Sequence, residues 1–221
     1  MKLFVSALVK FLIGLLLVGL LIFLPAGTLA YPGGILFLCL LFIPMLLMGI
    51  VMLARARDLL AKRLDAKEKQ AAQKGVQSLS GLVFIAGFVL AGLDFRFSWS
   101  DVPMPAVIAA SVIFLAGYGL YAEVMRENAY LSRTVKVEEG QTVISTGLYG
   151  IIRHPMYTAS ILMFLSIPLV MGSWYALIPF ALYPALMVIR VLDEEKLLTA
   201  ELQGYAEYKT KVRYRLIPFI W

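Results

Sequence analysis

The sequence predicts an all-α polytopic membrane protein. Three observations carry this: 61% of its 221 residues are hydrophobic, only 15% are charged, and long apolar runs alternate with short polar or basic segments. Soluble domains carry about 25% charge, and a soluble fold of this size lacks the polar surface to cover so much apolar side chain. The same figures exclude disorder, which goes with low hydrophobicity and high charge. A single cysteine, Cys39, and a single histidine, His154, permit neither a disulfide framework nor a metal site built on Cys or His.

A helix crosses the hydrocarbon core with about 20 largely apolar residues. The runs 8–30, 34–54, 78–95, 103–122, 155–171 and 174–192 qualify or nearly do, which predicts about six transmembrane helices. The first run follows Lys2 and Lys10 but is longer than a signal-peptide core, and reads as an uncleaved anchor. The fifth is short, and only Gly172 and Ser173 join it to the sixth, which predicts a tight antiparallel hairpin.

The connecting segments alternate in charge. Segment 55–77 holds Arg55, Arg57, Lys62, Arg63, Lys67, Lys69 and Lys74; segment 123–154 holds Arg126, Arg133, Lys136 and Arg153; the tail holds Lys196, Lys209, Lys211, Arg213 and Arg215. The intervening connections carry Arg96 alone. The net charge of +6 therefore reads as a topology signal rather than a nucleic-acid footprint, and the positive-inside rule puts both termini and the two long loops in the cytoplasm. Leu59, Leu60 and Leu64 at helical spacing predict a basic amphipathic helix within 55–77, lying on the inner leaflet. No span has an ionisable residue near its middle, which disfavours a pump or ion-coupled transporter.

Two constellations bear chemistry. In the stretch from Gly147 to Tyr157, Pro155 pushes His154 out of helical geometry and favours a helix start at itself. Arg153 and His154 then sit at an electropositive helix N-terminus, an arrangement that asks for a nearby anion. In Arg190-Val191-Leu192-Asp193-Glu194-Glu195, Arg190 and Glu194 share a helix face, and three consecutive acids oppose the dipole of the helix end they occupy. They read either as a solvated acidic turn with an Arg190–Glu194 ion pair or as a site for a cation. The hairpin brings the two constellations to one membrane face. Cationic groups, carboxylates and tyrosines together suit a zwitterionic ligand with a cationic centre, such as S-adenosylmethionine. The tail interleaves Tyr and Trp with Lys and Arg, as an interfacial anchor or a lid does.

At these residues the sequence resembles the isoprenylcysteine carboxyl methyltransferase family, with its related phospholipid methyltransferases. The resemblance rests on G-x-Y-x-x-x-R-H-P-x-Y at 147–157, on R-x-x-x-E-E-x-x-L at 190–198, and on Gly204, Tyr205, Tyr208 and Leu216-Ile217-Pro218. It covers about residues 123–221 and implies a methyltransferase region there, beside an N-terminal transmembrane part over 1–122. It implies an S-adenosylmethionine pocket at the cytoplasmic ends of the last two helices plus the tail. The residues that match its cofactor segments are Gln141, Thr142, Val143, Ile144, Tyr149, His154, Pro155, Met156, Tyr157 and Glu194, with Lys136 a further contact. Arg190 matches an arginine placed at the methyl acceptor, and Ala159 stands where many relatives have glycine.

The implied partner is a lipidic methyl acceptor, a prenylated cysteine or a phospholipid-like molecule, with no metal. A carboxylate acceptor needs no general base; an amine acceptor would need one, for which Glu194 or Glu195 are candidates. A membrane reductase using a nicotinamide cofactor and a non-enzymatic membrane protein are the other readings.

Overall fold

The computed structural model describes residues 2–64, 71–131, 137 and 140–221. Among them the chain is all helical, and its single β-bridge pairs Ile152 with Tyr214. Four helices are long and apolar enough to cross a membrane: α1 (Lys2–Ala26), α2 (Pro32–Arg55), α4 (Ala71–Phe97) and α5 (Met104–Glu127). At 1.5 Å per residue a 24-residue helix spans about 36 Å. Their lipid-facing character is plain in the side chains left outside, including Leu16, Leu24 and Leu47. Such an apolar surface is tolerated in hydrocarbon and not in water.

The last two of the about six expected spans depart from the long regular helices of the first four. The fifth run forms α6 (Pro155–Val170), apolar but only 16 residues long. The sixth is broken: a short α7 (Leu177–Phe180) precedes α8 (Tyr183–Glu201), with Pro179 and Pro184 at the break. Each proline removes a donor and crowds the preceding turn. The amphipathic helix expected over 55–77 is smaller too. It is α3 (Arg57–Leu64), and its leucines face protein rather than lipid: Leu60 is buried with Val124, Met125, Leu131 and Tyr149, and Leu59 and Leu64 pack against that cluster. Residues 71–77 belong to α4, and residues 65–70 lie outside the described residues.

α6 lies along α5, and α1 along α4. The α5–α6 approach depends on Gly117, where a Cβ would come within 2.6 Å of Met163 Cγ and 3.1 Å of the Ala159 carbonyl. Small residues at crossings let backbones close up in membranes. Ala159 therefore acts at this helix contact, and its methyl does not reach the cleft described below. Between α4, α6 and α8 the core is aromatic, with Phe84 in ring contact with Phe88, Phe164, Phe180 and Tyr183.

One end of the bundle is pinned by Asp94, buried near the end of α4. It accepts from the Ser100 amide (2.7 Å), the Ser100 hydroxyl (2.6 Å) and Ser173 in the α6–α7 turn. Nearby, the Tyr31 hydroxyl donates to the Met171 carbonyl at 2.5 Å. The opposite end holds α3, the start of α6, the end of α8 and the tail helix α9 (Tyr205–Lys211). Arg57, Lys62 and Arg63 of α3, Arg153 beside α6, and Lys209 and Lys211 of α9 gather at that end.

Candidate functional site

α6 starts where Pro155 dictates, with His154 as N-cap at φ −128°. No side chain caps the helix. The tail does so instead: Arg153 N donates to the Tyr214 carbonyl and His154 N to the Arg215 carbonyl, both at 2.9 Å. Thr158 adds a bond from its hydroxyl to the Leu216 carbonyl at 2.7 Å. The tail is itself folded back, with the Trp221 carbonyl accepting from Arg215 N (2.8 Å) and Leu216 N (2.9 Å).

The anion that Arg153 and His154 ask for is internal. Glu195, 4% exposed, takes Arg153 Nε at 2.7 Å and lies 3.3 Å from His154 Nε2 on the same oxygen. Its other oxygen accepts Arg215 Nε at 3.0 Å. Burial alone would raise its pKa. The His154 hydrogen bond and charge, the Arg215 bond and the Arg153 charge outweigh burial and hold the carboxyl at about 2. Arg153 also donates to the Val212 carbonyl at 2.9 Å, so it clamps α8, α6 and the tail together. Glu195 is thus a buried structural anion, which removes it from the candidate bases.

Glu194, one residue earlier, points elsewhere. Tyr157 donates from its hydroxyl to Glu194 Oε2 at 2.5 Å and accepts from Arg190 Nε at 3.0 Å. The phenol therefore bridges the two α8 residues predicted to share a face, and the Arg190 guanidinium lies 5.9 Å from the centre of its ring. These three residues form part of the wall of an open cleft between α6, α8, the loop at 141–149 and the tail.

Of the residues predicted for the site, Gln141, Thr142, Val143, Ile144, Tyr149, His154, Met156, Tyr157, Arg190 and Glu194 line this one cleft. Pro155 is buried behind it as the first residue of α6, and Lys136 lies outside the described residues. Tyr149 is set by a short 3-10 turn, Gly147–Gly150. Gly147 has φ +49°, and a Cβ there would run into the Glu127 carboxylate, which accepts the Leu148 amide at 3.1 Å. Burial pushes the Tyr149 hydroxyl up to about 12, though the Asn128 amide donates to it at 2.9 Å.

Sequence reasoning gave no role to Asn128, Tyr130, Leu131 and Leu202, and carried Leu198, Tyr205 and Tyr208 only as residues of the α8 and tail motifs; all seven also line the cleft. Two signals pointed to some of them. Leu198 and Leu202 continue the i, i+4 series from Arg190 and Glu194, and both tyrosines belong to the tail motif. Tyr208 seals one wall, its hydroxyl donating to the Tyr149 carbonyl at 2.6 Å.

The phospholipid methyltransferase family profile matches residues 105–206, from α5 to the start of α9. The fold is also that of a eukaryotic intramembrane Ras methyltransferase, isoprenylcysteine carboxyl methyltransferase, with a TM-score of 0.53 at 15% identity, covering 85% of this chain and 74% of that one. Among curated proteins, a Delta(14)-sterol reductase of Mus musculus is 31% identical over 91 residues, 40% of this chain and 22% of the reductase. A Delta(14)-sterol reductase of Methylotuvimicrobium alcaliphilum is 23% identical over 136 residues, 55% of this chain and 32% of the reductase. The chain thus spans less than a third of the length of either curated relative. With its apolar helices, these matches place the chain as an integral multi-pass membrane protein. It has the isoprenylcysteine carboxyl methyltransferase fold and resembles the phospholipid methyltransferase family through residues 105–206.

Proposed function

We propose that this protein is an S-adenosylmethionine-dependent methyltransferase acting on a lipid-borne carboxylate, such as that of a prenylated cysteine. The observation that carries the reading is the Tyr157 hydroxyl joining Arg190 to Glu194 within the cleft. The donor set fits the cofactor. Glu194 and tyrosine faces suit a sulfonium, and the cleft continues into apolar side chains.

Gln141, Thr142, Val143, Ile144, Tyr149, His154, Met156, Tyr157 and Glu194 hold the cofactor in this reading, Pro155 fixes the start of α6, and Lys136 contributes from its loop. When bound, S-adenosylmethionine supplies an electrophilic methyl group. Arg190 holds and orients the acceptor carboxylate, which is already a nucleophile and needs no base. The buried Tyr157–Arg190 pair keeps that end of the cleft dry. Residues 123–221 form the methyltransferase region and residues 1–122 its membrane scaffold. The basic segments and both termini face the cytoplasm, where the cofactor is dissolved.

The test is calorimetric binding of S-adenosylmethionine and S-adenosylhomocysteine to detergent-purified protein, repeated with Glu194→Ala and His154→Ala. Binding in the wild type that both substitutions weaken supports the reading; a wild type that binds neither molecule overturns it. Turnover on a prenylated cysteine analogue and on a phospholipid amine then separates the acceptors, and Arg190→Ala should abolish the carboxylate reaction first.

A second reading, a membrane reductase using a nicotinamide nucleotide, is favoured by the two sterol reductase matches. It requires tight NADPH binding in place of S-adenosylmethionine.

A further inference from the structure

The cleft floor is graded. Arg190, Glu194, Leu198 and Leu202 follow one another at four-residue spacing along α8 and its C-cap, a stripe about 18 Å long that runs from charged to apolar. At the apolar end Leu198, Leu202 and Val143 pack with Tyr205, Tyr208 and Val212. Within this cluster the two tyrosines differ. Tyr208 spends its hydroxyl on the Tyr149 carbonyl. The Tyr205 hydroxyl has no hydrogen-bond partner among the described residues, although Tyr205 is only 4% exposed and lines the cleft. An unpaired buried hydroxyl costs about 1–3 kcal/mol, so this phenol is placed to pair with a group that the described residues do not supply.

We propose that the apolar end of the cleft is a purine subsite in which Tyr205 donates its hydroxyl hydrogen bond to a ring nitrogen of the bound adenosyl group. This rests on the adenosyl-cofactor reading above and adds the residue that reads the base. A purine has apolar faces and in-plane nitrogen acceptors. The site offers the complement: leucine and valine side chains, aromatic rings 5.7 Å apart, and one unpaired hydroxyl. A ribose or a carboxylate would ask for several donors together, whereas the described side chains packed around Tyr205 are leucine, valine and one tyrosine. Burial, reinforced by the Glu195 and Glu194 charges, raises the Tyr205 pKa, so the group stays protonated and donates. Gly204, at φ +83°, turns the chain so that α9 presents Tyr205 inward. The base would then be read by the tail, and the reacting end by α6 and α8.

The experiment compares wild type with Tyr205→Phe in calorimetric binding of S-adenosylhomocysteine and of its three deaza analogues, each lacking one ring nitrogen. The expected result is a five- to tenfold loss, roughly the value of one hydrogen bond, in Tyr205→Phe. One analogue should show the same loss in the wild type and no further loss in the variant. Unliganded Tyr205→Phe should melt at or above the wild-type temperature, because it gives up a hydroxyl that no described residue pairs. Undiminished binding in Tyr205→Phe, an equal loss with all three analogues, or a lowered melting temperature without ligand each overturns the proposal while leaving the methyltransferase reading intact. A wild type that binds no adenosyl ligand at all takes both down.

Discussion

Replacing Glu195 with glutamine keeps the shape of the side chain and deletes its charge. The carboxylate has two guanidinium neighbours, Arg153 at 2.7 Å and Arg215 at 3.0 Å, with the His154 ring nitrogen at 3.3 Å, and is almost fully buried. Its pKa is held at about 2 against an ordinary 4.5. At about 1.4 kcal/mol per unit, that depression is worth about 3 kcal/mol of folding free energy at neutral pH. The figure agrees with the roughly 3–5 kcal/mol lost when one partner of a buried ion pair is removed. In a chain of this length each kcal/mol moves the melting temperature by about 2–4 °C, so Glu195→Gln should melt about 6–12 °C lower. The sign of the pH effect follows from the depressed pKa: the contribution is complete above the ordinary carboxylate range and is lost as pH falls from 4.5 through about 2. Thermal scanning of purified protein at pH 7 and down a pH series reads both quantities, and trypsin cutting after Lys209, Lys211 and Arg213 reports release of the tail. A variant that melts within about 2 °C of wild type and keeps the same acid profile would refute the central place given to this anion.

Two further substitutions test the helix contact and the cleft. Gly117→Val should push α5 off Met163 and Ala159 of α6 and cost about 1–3 kcal/mol by overpacking; Gly119→Ala, whose added Cβ meets nothing within 4 Å, should leave the melting temperature unchanged. Tyr157→Phe cuts the link between Arg190 and Glu194; steady-state kinetics should show kcat reduced by up to about a hundredfold through misplacement of the reacting groups, and an unchanged kcat would contradict the arrangement.

The long helices were legible because lipid rewards unbroken apolar runs, and the start of α6 because Pro155 leaves no alternative. Boundaries were less so. α4 begins before its apolar run does, since its first turns are held by protein contacts: Gln73 is fully buried and donates to Asp193 at 2.6 Å. The sixth run read as continuous because hydropathy alone is blind to what Pro179 and Pro184 do to the backbone. In the site, residues carried by local motifs converged on one cleft. Asn128, Tyr130 and Leu131 reach it from just after α5, outside any motif, and Tyr205 and Tyr208 reach it because the tail returns across the start of α6, through bonds between residues about sixty positions apart such as Arg153 and Tyr214. No local pattern encodes that distance.

The three consecutive acids of α8 show how a single charge run answers several partners. Successive helix residues point about 100° apart, so Asp193, Glu194 and Glu195 face three different neighbours. Asp193 takes Gln73 of α4, Glu194 takes Tyr157 at the cleft, and Glu195 takes Arg153 and His154 at the α6 N-terminus with Arg215 of the tail. Of the three, Glu195 is the one these bonds pair with guanidinium groups, while Asp193 and Glu194 accept from a neutral amide and a neutral phenol. Only the middle acid opens onto the cleft, and it is held there from both sides by packing that its two neighbours secure. Loosening either neighbour should therefore disturb Glu194 without touching the cleft, which makes Asp193 and Glu195 supports for the residue assigned to the sulfonium.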